Sequence, residues 1–188
     1  SHEHFDHVAG LAKLQKLSGA KLIVSVNAAP VLASGVITQQ DPQAGTHKPF
    51  PPAKVDVILK DGERIRLGEL TLTPIATPGH TYGALSWQWQ TCEGNNCNWV
   101  VYADSLSPVS NSRYRFSDHL PYIKAYKQGL NKLSKLDCQI LLAPHPSASN
   151  MHYRLSQANG LIDAKGCWKY SNSVSKRLDK RLAKEQSK

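Results

Sequence analysis

Ser1-His2-Glu3-His4-Phe5-Asp6-His7 opens the chain with three imidazoles and a carboxylate in the order H-x-H-x-D-H. All four side chains bind borderline divalent metals, Zn²⁺ above all. His2 and His4 alternate, so in extended backbone both point to one side, while Asp6 and His7 follow as the chain turns into a helix and can aim at a second ion. A tag would be an unbroken histidine run; this pattern is spaced. It also has two distant counterparts, Thr77-Pro78-Gly79-His80-Thr81 and Ala143-Pro144-His145-Pro146, each placing a histidine just after a strand-like run. Three separated segments therefore agree on a two-metal site.

Together these segments resemble the metallo-β-lactamase superfamily. Tyr102-Ala103-Asp104-Ser105-Leu106-Ser107, Tyr114-Arg115-Phe116-Ser117-Asp118-His119 and Pro144-His145-Pro146 further resemble class B β-lactamases of the third subclass. The resemblance covers nearly all of the chain except its basic tail. It implies an α/β fold, the four-layered αββα sandwich, with His2, His4 and His80 on a first zinc and Asp6, His7 and His145 on a second. It also implies hydrolysis of the β-lactam amide bond by a metal-bridging hydroxide that Asp6 orients, carbapenems among the substrates, and antibiotic resistance as the result. Ser105 and Ser107 would receive the substrate carboxylate. Thioesterase-like relatives of the glyoxalase II type place a bridging aspartate near Asp104; since neighbours in extended chain point oppositely, Ser105 is expected to face the metals and Asp104 to make a structural hydrogen bond. Other dizinc hydrolases of this fold, acting on thioesters, lactones or phosphodiesters, are the alternative, and an inactive fragment is a third reading. Members of the family carry a signal peptide and several strands ahead of the histidine box, so an N-terminal portion is expected to be missing, with His2 frayed and zinc binding weakened.

The 188 residues are 40% hydrophobic and 20% charged, ordinary globular material for which one domain over 1–188 is expected. The longest apolar runs, 22–26 and 140–143, are far too short to span a bilayer. The net charge of +9 invites a nucleic-acid reading, but no aromatics or glycines interleave with the basic residues as a strand-binding groove requires. Residues 176–188 hold six basic and two acidic side chains, and about 174–188 reads as a helix with a solvated basic face. No nucleic acid and no membrane is expected as partner, and the protein is expected to be a monomer. The four cysteines fall into two local pairs, Cys92 with Cys97 and Cys138 with Cys167. None lies in a C-x-x-C motif, so disulfides and a periplasmic or secreted address are expected, with four reduced thiols in the cytosol as the alternative.

Apolar residues at Val8, Leu11, Leu14 and Leu17 predict one helix from Asp6 or His7 to a stop at Gly19. Residues 21–26 read as a buried strand, followed by Asn27 capping a brief helix to Ala33. Residues 36–53 have no periodicity and read as a long loop, with His47 unpaired and Gln40 and Gln43 as substrate contacts. A strand meander is expected over 55–76, with turns at Asp61-Gly62 and Gly68-Glu69, then paired strands around the Cys92–Cys97 turn, with Trp87 and Trp89 in the sheet. Asp118 is expected to cap a helix to about Leu136 with Pro121 in its first turn. A buried strand over 138–143 then delivers His145, and 151–165 reads as a helix. His119 and His152 are read as surface residues or as supports behind the ligands.

Overall fold

The computed structural model describes residues 1–187. Two short helices, α1 (Phe5–Val8) and α2 (Leu11–Ser18), precede strand β1 (Leu22–Ser25) and helix α3 (Ala29–Ser34). After the long loop come β2 (Val55–Leu59), β3 (Ile65–Leu67), β4 (Leu70–Ala76), β5 (Leu85–Glu93) and β6 (Asn96–Tyr102). Helix α4 (Leu120–Ser134), β7 (Ile140–Leu142), α5 (Met151–Leu155) and α6 (Gly166–Gln186) complete the order. β1 and β2 form a parallel pair, and the other five strands a sheet ordered β3-β4-β5-β6-β7, antiparallel except for the parallel β6–β7 step. Helices α1–α3 pack with the small sheet around Val8, Val24, Val31 and Leu32, while α4 and α6 cover the large one around Val101, Tyr126, Leu141 and Val174. That is the helix–sheet–sheet–helix layering the resemblance implies. Among the described residues, no helix is long and apolar enough to cross a membrane.

Several sequence-based expectations are corrected. The first helix is two, broken at Ala9 and Gly10, because Gly10 is a weak helix former and α2 restarts there; Gly19 ends α2 in the left-handed region as expected. Residues 55–76 are not one meander, since β2 pairs with β1 and belongs to the other sheet. The crossing after β2 is fastened to β4: Asp61 Oδ1 accepts from the Ala76 N–H at 2.7 Å, and Gly62 N–H donates to the Pro74 carbonyl. β3 and β4 do form a hairpin, Leu67 opposite Leu70, with Gly68 at φ 61° supplying the positive torsion that a two-residue turn needs. Asn27 and Asp118 do not cap. Asn27 donates its amide to the Tyr82 carbonyl, and Asp118 ends a 3-10 turn, which leaves His119 at the head of α4.

The basic tail is structural. α6 begins at Gly166, where the Cys138–Cys167 disulfide ties it to the approach to β7, and α5 is only one short turn of helix. The other disulfide joins Cys92 and Cys97, directly opposite each other on β5 and β6. Tyr170, Val174 and Leu178, spaced four apart, bury one stripe of α6 against the large sheet's core, while Lys176, Lys180 and Lys184 face water. At its far end Glu185, 6% exposed, accepts from the backbone N–H groups of Phe116 and Ser117 and from Arg181. Glu185→Ala strands these donors and is expected to cost about 2–3 kcal/mol in urea denaturation. Lys184→Ala should stay within about 0.5 kcal/mol; equal effects would mean that the tail is not anchored through this carboxylate.

Candidate metal centre

His2, His4 and His80 are nearly enclosed, 4%, 1% and 8% exposed, and one ligand atom of each lies within 4.8 Å of the others. His2, Asp6 and His7 form a second set of the same size. His145, at the exit of β7, brings its Nε2 to 3.3 Å from His7 Nε2 and 3.7 Å from Asp6 Oδ2. All six residues expected to hold metal thus converge from three stretches of chain. Local sequence explains the convergence. His4 has extended backbone and precedes α1, so the histidines point one way and Glu3 the other. Glu3 is buried and accepts from Thr81 Oγ1 at 2.8 Å and the Gly83 N–H at 3.1 Å, lashing the opening heptad to the loop that carries His80. Burial raises the Glu3 pKa, partly opposed by those hydrogen bonds. Gly79 lets that loop sit against α4, where a Cβ would come within 2.4 Å of the Tyr126 ring. His2 is not frayed: the Ser1 carbonyl accepts from the Leu85 N–H at the start of β5, and the His2 ring is buried.

Each ring of the first set spends one nitrogen on the protein. His2 Nδ1 donates to Asp104 Oδ1 at 2.8 Å, His4 Nε2 to the Asp41 carboxylate at 3.1 and 3.2 Å, and His80 Nδ1 to the Ser107 carbonyl at 2.9 Å. These partners accept only, which assigns the proton to the bonded nitrogen and leaves His2 Nε2, His4 Nδ1 and His80 Nε2 as bare lone pairs. His2 Nε2 is buried with no partner among the described residues. A buried imidazole nitrogen without a proton or a partner is what a metal satisfies, and carboxylates behind ligating histidines are the usual support. The donor set fits a divalent metal such as zinc. Burial, then the neighbouring His2, holds the pKa of both His7 and His80 down at about 4, so the rings are neutral at pH 7. For Asp104, burial works upward, but His2 outweighs it and brings the carboxyl to about 2.

Asp104 is fully buried behind His2 and belongs to neither ligand set, as the expected structural hydrogen bond requires. Ser105 Oγ is enclosed without a partner among the described residues, and Ser107 Oγ lies 3.3 Å from Arg177 Nη1. His47 is not an isolated loop histidine: its ring stacks on His4 at 4.3 Å between centroids, inclined 25°. Gln43 Nε2 stands 3.3 Å from His80 Nε2 and 3.5 Å from His4 Nδ1, at the mouth of the first set. Gln40 lines a cavity of about 840 Å³ together with Asp41, Tyr82, Asn111, Tyr114 and His119. His119 stacks on Tyr114, and His152 is exposed on α5. Sequence reading missed Asp41 and Glu3. Nothing marks Asp41 in an aperiodic loop, whereas the alternation His2-Glu3-His4 already sends Glu3 to the opposite side.

The family model of the metallo-β-lactamase superfamily matches residues 1–92. The solved MIM-2 metallo-β-lactamase is 52% identical, with a TM-score of 0.93 over 98% of this chain and 68% of that one. MIM-1 from Novosphingobium pentaromativorans is 44% identical, with a TM-score of 0.95 over 100% and 69%. This chain belongs to the metallo-β-lactamase superfamily. Its structural likeness extends to the subclass B3 enzymes, among them BJP-1 of Bradyrhizobium japonicum, 28% identical with a TM-score of 0.85 over 99% and 72% of the two chains. Hydroxyacylglutathione hydrolases also match: that of Cereibacter sphaeroides is 33% identical over 89 residues, 47% of this chain and 27% of that protein. That of Pseudomonas paraeruginosa is 31% identical over 87 residues, so the match spans about a quarter of the length of these curated relatives, 27% and 25%.

Asp41→Ala frees the His4 ring to turn and to take the wrong tautomer. Zn²⁺ affinity, read by competition with a chromophoric chelator, is expected to fall about 10- to 100-fold. An unchanged affinity would show that the Asp41 contact is incidental to metal binding.

Proposed function

We propose that this chain hydrolyses the amide bond of β-lactams with two zinc ions, one held by His2, His4 and His80, the other by Asp6, His7 and His145. The observation that carries the reading is the clustering of the three histidines of the first set, each with one ring nitrogen tied to the protein and the other left unprotonated. Bound zinc would supply a water that ionises near neutral pH and a Lewis acid for the lactam carbonyl. The chain's own groups supply direction. Asp6 is half exposed, at 53%, and lies 3.3 Å from His7 Nε2. Burial opposes its ionisation, but His7 and its own backbone N–H outweigh that and hold its pKa below the ordinary carboxylate value. Asp6 is therefore an anion at neutral pH, able to accept a hydrogen bond from the attacking water and fix its approach. The Gln43 amide at the mouth can donate to the carbonyl oxygen as negative charge develops there. Ser105 and Ser107 receive the substrate carboxylate in this reading; Ser107 is half-buried on the loop after β6, while the Ser105 hydroxyl is enclosed and has no partner among the described residues.

A thioesterase is the rival, favoured by the matches to hydroxyacylglutathione hydrolases. The position of Asp104 argues against it, since its carboxylate is buried behind His2 rather than turned toward the cleft as a bridging ligand would be. The two disulfides support an oxidising compartment, and we propose a periplasmic or secreted enzyme acting as a monomer. The test is a panel of a penicillin, a cephalosporin and a carbapenem against a glutathione thioester and a nitrophenyl phosphodiester. β-Lactam turnover that chelation abolishes and added zinc restores is expected. Turnover of the thioester or phosphodiester alone would overturn the proposal.

A further inference from the structure

One cation in the molecule is placed where ordinary stability gives no reason for it. Arg177, on α6, reaches beneath the loop that follows β6, and its Nη1 lies 3.3 Å from Ser107 Oγ. Its Nε and Nη2 are enclosed and have no partner among the described residues. Other cations of the helix are placed differently: Arg181 Nε binds Glu185 at 2.6 Å, Lys169 binds Asp163 at 2.7 Å, and Lys176 and Lys180 are exposed to water. Keeping a guanidinium largely out of water with no carboxylate beside it is costly.

We infer that Arg177 is a positioning residue that sets the Ser107 hydroxyl to receive an anionic substrate; this rests on the β-lactam reading above. A guanidinium carries five N–H donors and no acceptor. Facing Arg177, Ser107 Oγ must accept, so its own proton turns elsewhere. Among the described residues the acceptor it reaches is the Ser105 carbonyl at 3.4 Å, which already takes the Tyr170 hydroxyl at 2.7 Å. The Ser107 hydroxyl is thus an underused donor with a positive charge behind it, and an incoming carboxylate makes a charge-assisted partner. Ser107 also accepts from His80 Nδ1 through its carbonyl, so the same residue links the metal cluster to the cation on α6. Arg177 touches neither the reacting bond nor a ligand set; it selects for negative charge on the substrate.

The experiment compares a penicillin with its methyl ester on the full zinc-loaded chain, using Arg177→Met, Arg177→Lys and Ser107→Ala. Arg177→Met keeps the apolar stem and removes the donors. It is expected to raise KM for the acid about tenfold relative to the ester, with kcat on the acid within about threefold. Arg177→Lys should recover part of the discrimination, and in the Ser107→Ala background Arg177→Met should add little. The zinc content should match the wild type and the urea midpoint should not fall, because among the described residues the cation loses no carboxylate and only one long hydrogen bond, to Ser107. Equal KM changes for acid and ester, an effect that persists without Ser107, or a lowered urea midpoint would each overturn the role of Arg177 while the wild type remains a β-lactamase. A wild type that turns over no β-lactam overturns the functional reading and this inference with it.

Discussion

An imidazole has two nitrogens, and a buried one can offer a lone pair to a metal only if the other is committed to the protein. The hydrogen bond from His2 to Asp104 meets that condition most stringently, because both groups are buried and the pair joins the opening heptad to the end of β6. The charge on Asp104 is sustained by His2, and the bare Nε2 of His2 is the necessary complement of that bond. His4 with Asp41 and His80 with the Ser107 carbonyl repeat the arrangement from two other directions. The clustering of these three rings is therefore a consequence of where three acceptors sit.

Much of this site was legible because metal ligands are rare residue types at constrained spacings. H-x-H-x-D-H, Pro78-Gly79-His80 and Pro144-His145-Pro146 mark the candidate ligands directly, and the structure brings all six residues together. The supporting residues were less visible. Asp41 lies in a loop without period, and only the folded chain brings it to His4, 37 residues away in sequence. The assignment of β2 to the small sheet failed for a related reason: alternation reports that a strand exists, while a parallel pairing to β1 is a long-range fact with no local signal. The burial of α6 was readable in principle from Tyr170, Val174 and Leu178. The density of lysines and arginines obscured it, since such side chains can ring a buried stripe as easily as a solvated helix.

The loop from Asp104 to Ser107 unites these observations. Irregular backbone under cover must have its carbonyls satisfied one by one, and here each has a named donor. Tyr170 shares its one hydroxyl proton between the Asp104 and Ser105 carbonyls, Tyr126 gives its own to Leu106, and His80 its Nδ1 proton to Ser107. Leu106 sits at φ 46°, a torsion that a bulky side chain rarely adopts, and its full burial shows what holds it there. Helices α4 and α6 thus act on the metal cluster at one remove: their tyrosines shape a loop whose carboxylate orients His2 and whose last carbonyl orients His80. A loop held at four consecutive carbonyls keeps the Ser105 and Ser107 hydroxyls in fixed positions. Flexibility, where catalysis needs it, must come from elsewhere, and Gln43 at the mouth is the better candidate, because its amide makes only long contacts, at 3.3 and 3.5 Å, to nitrogens that a metal would claim.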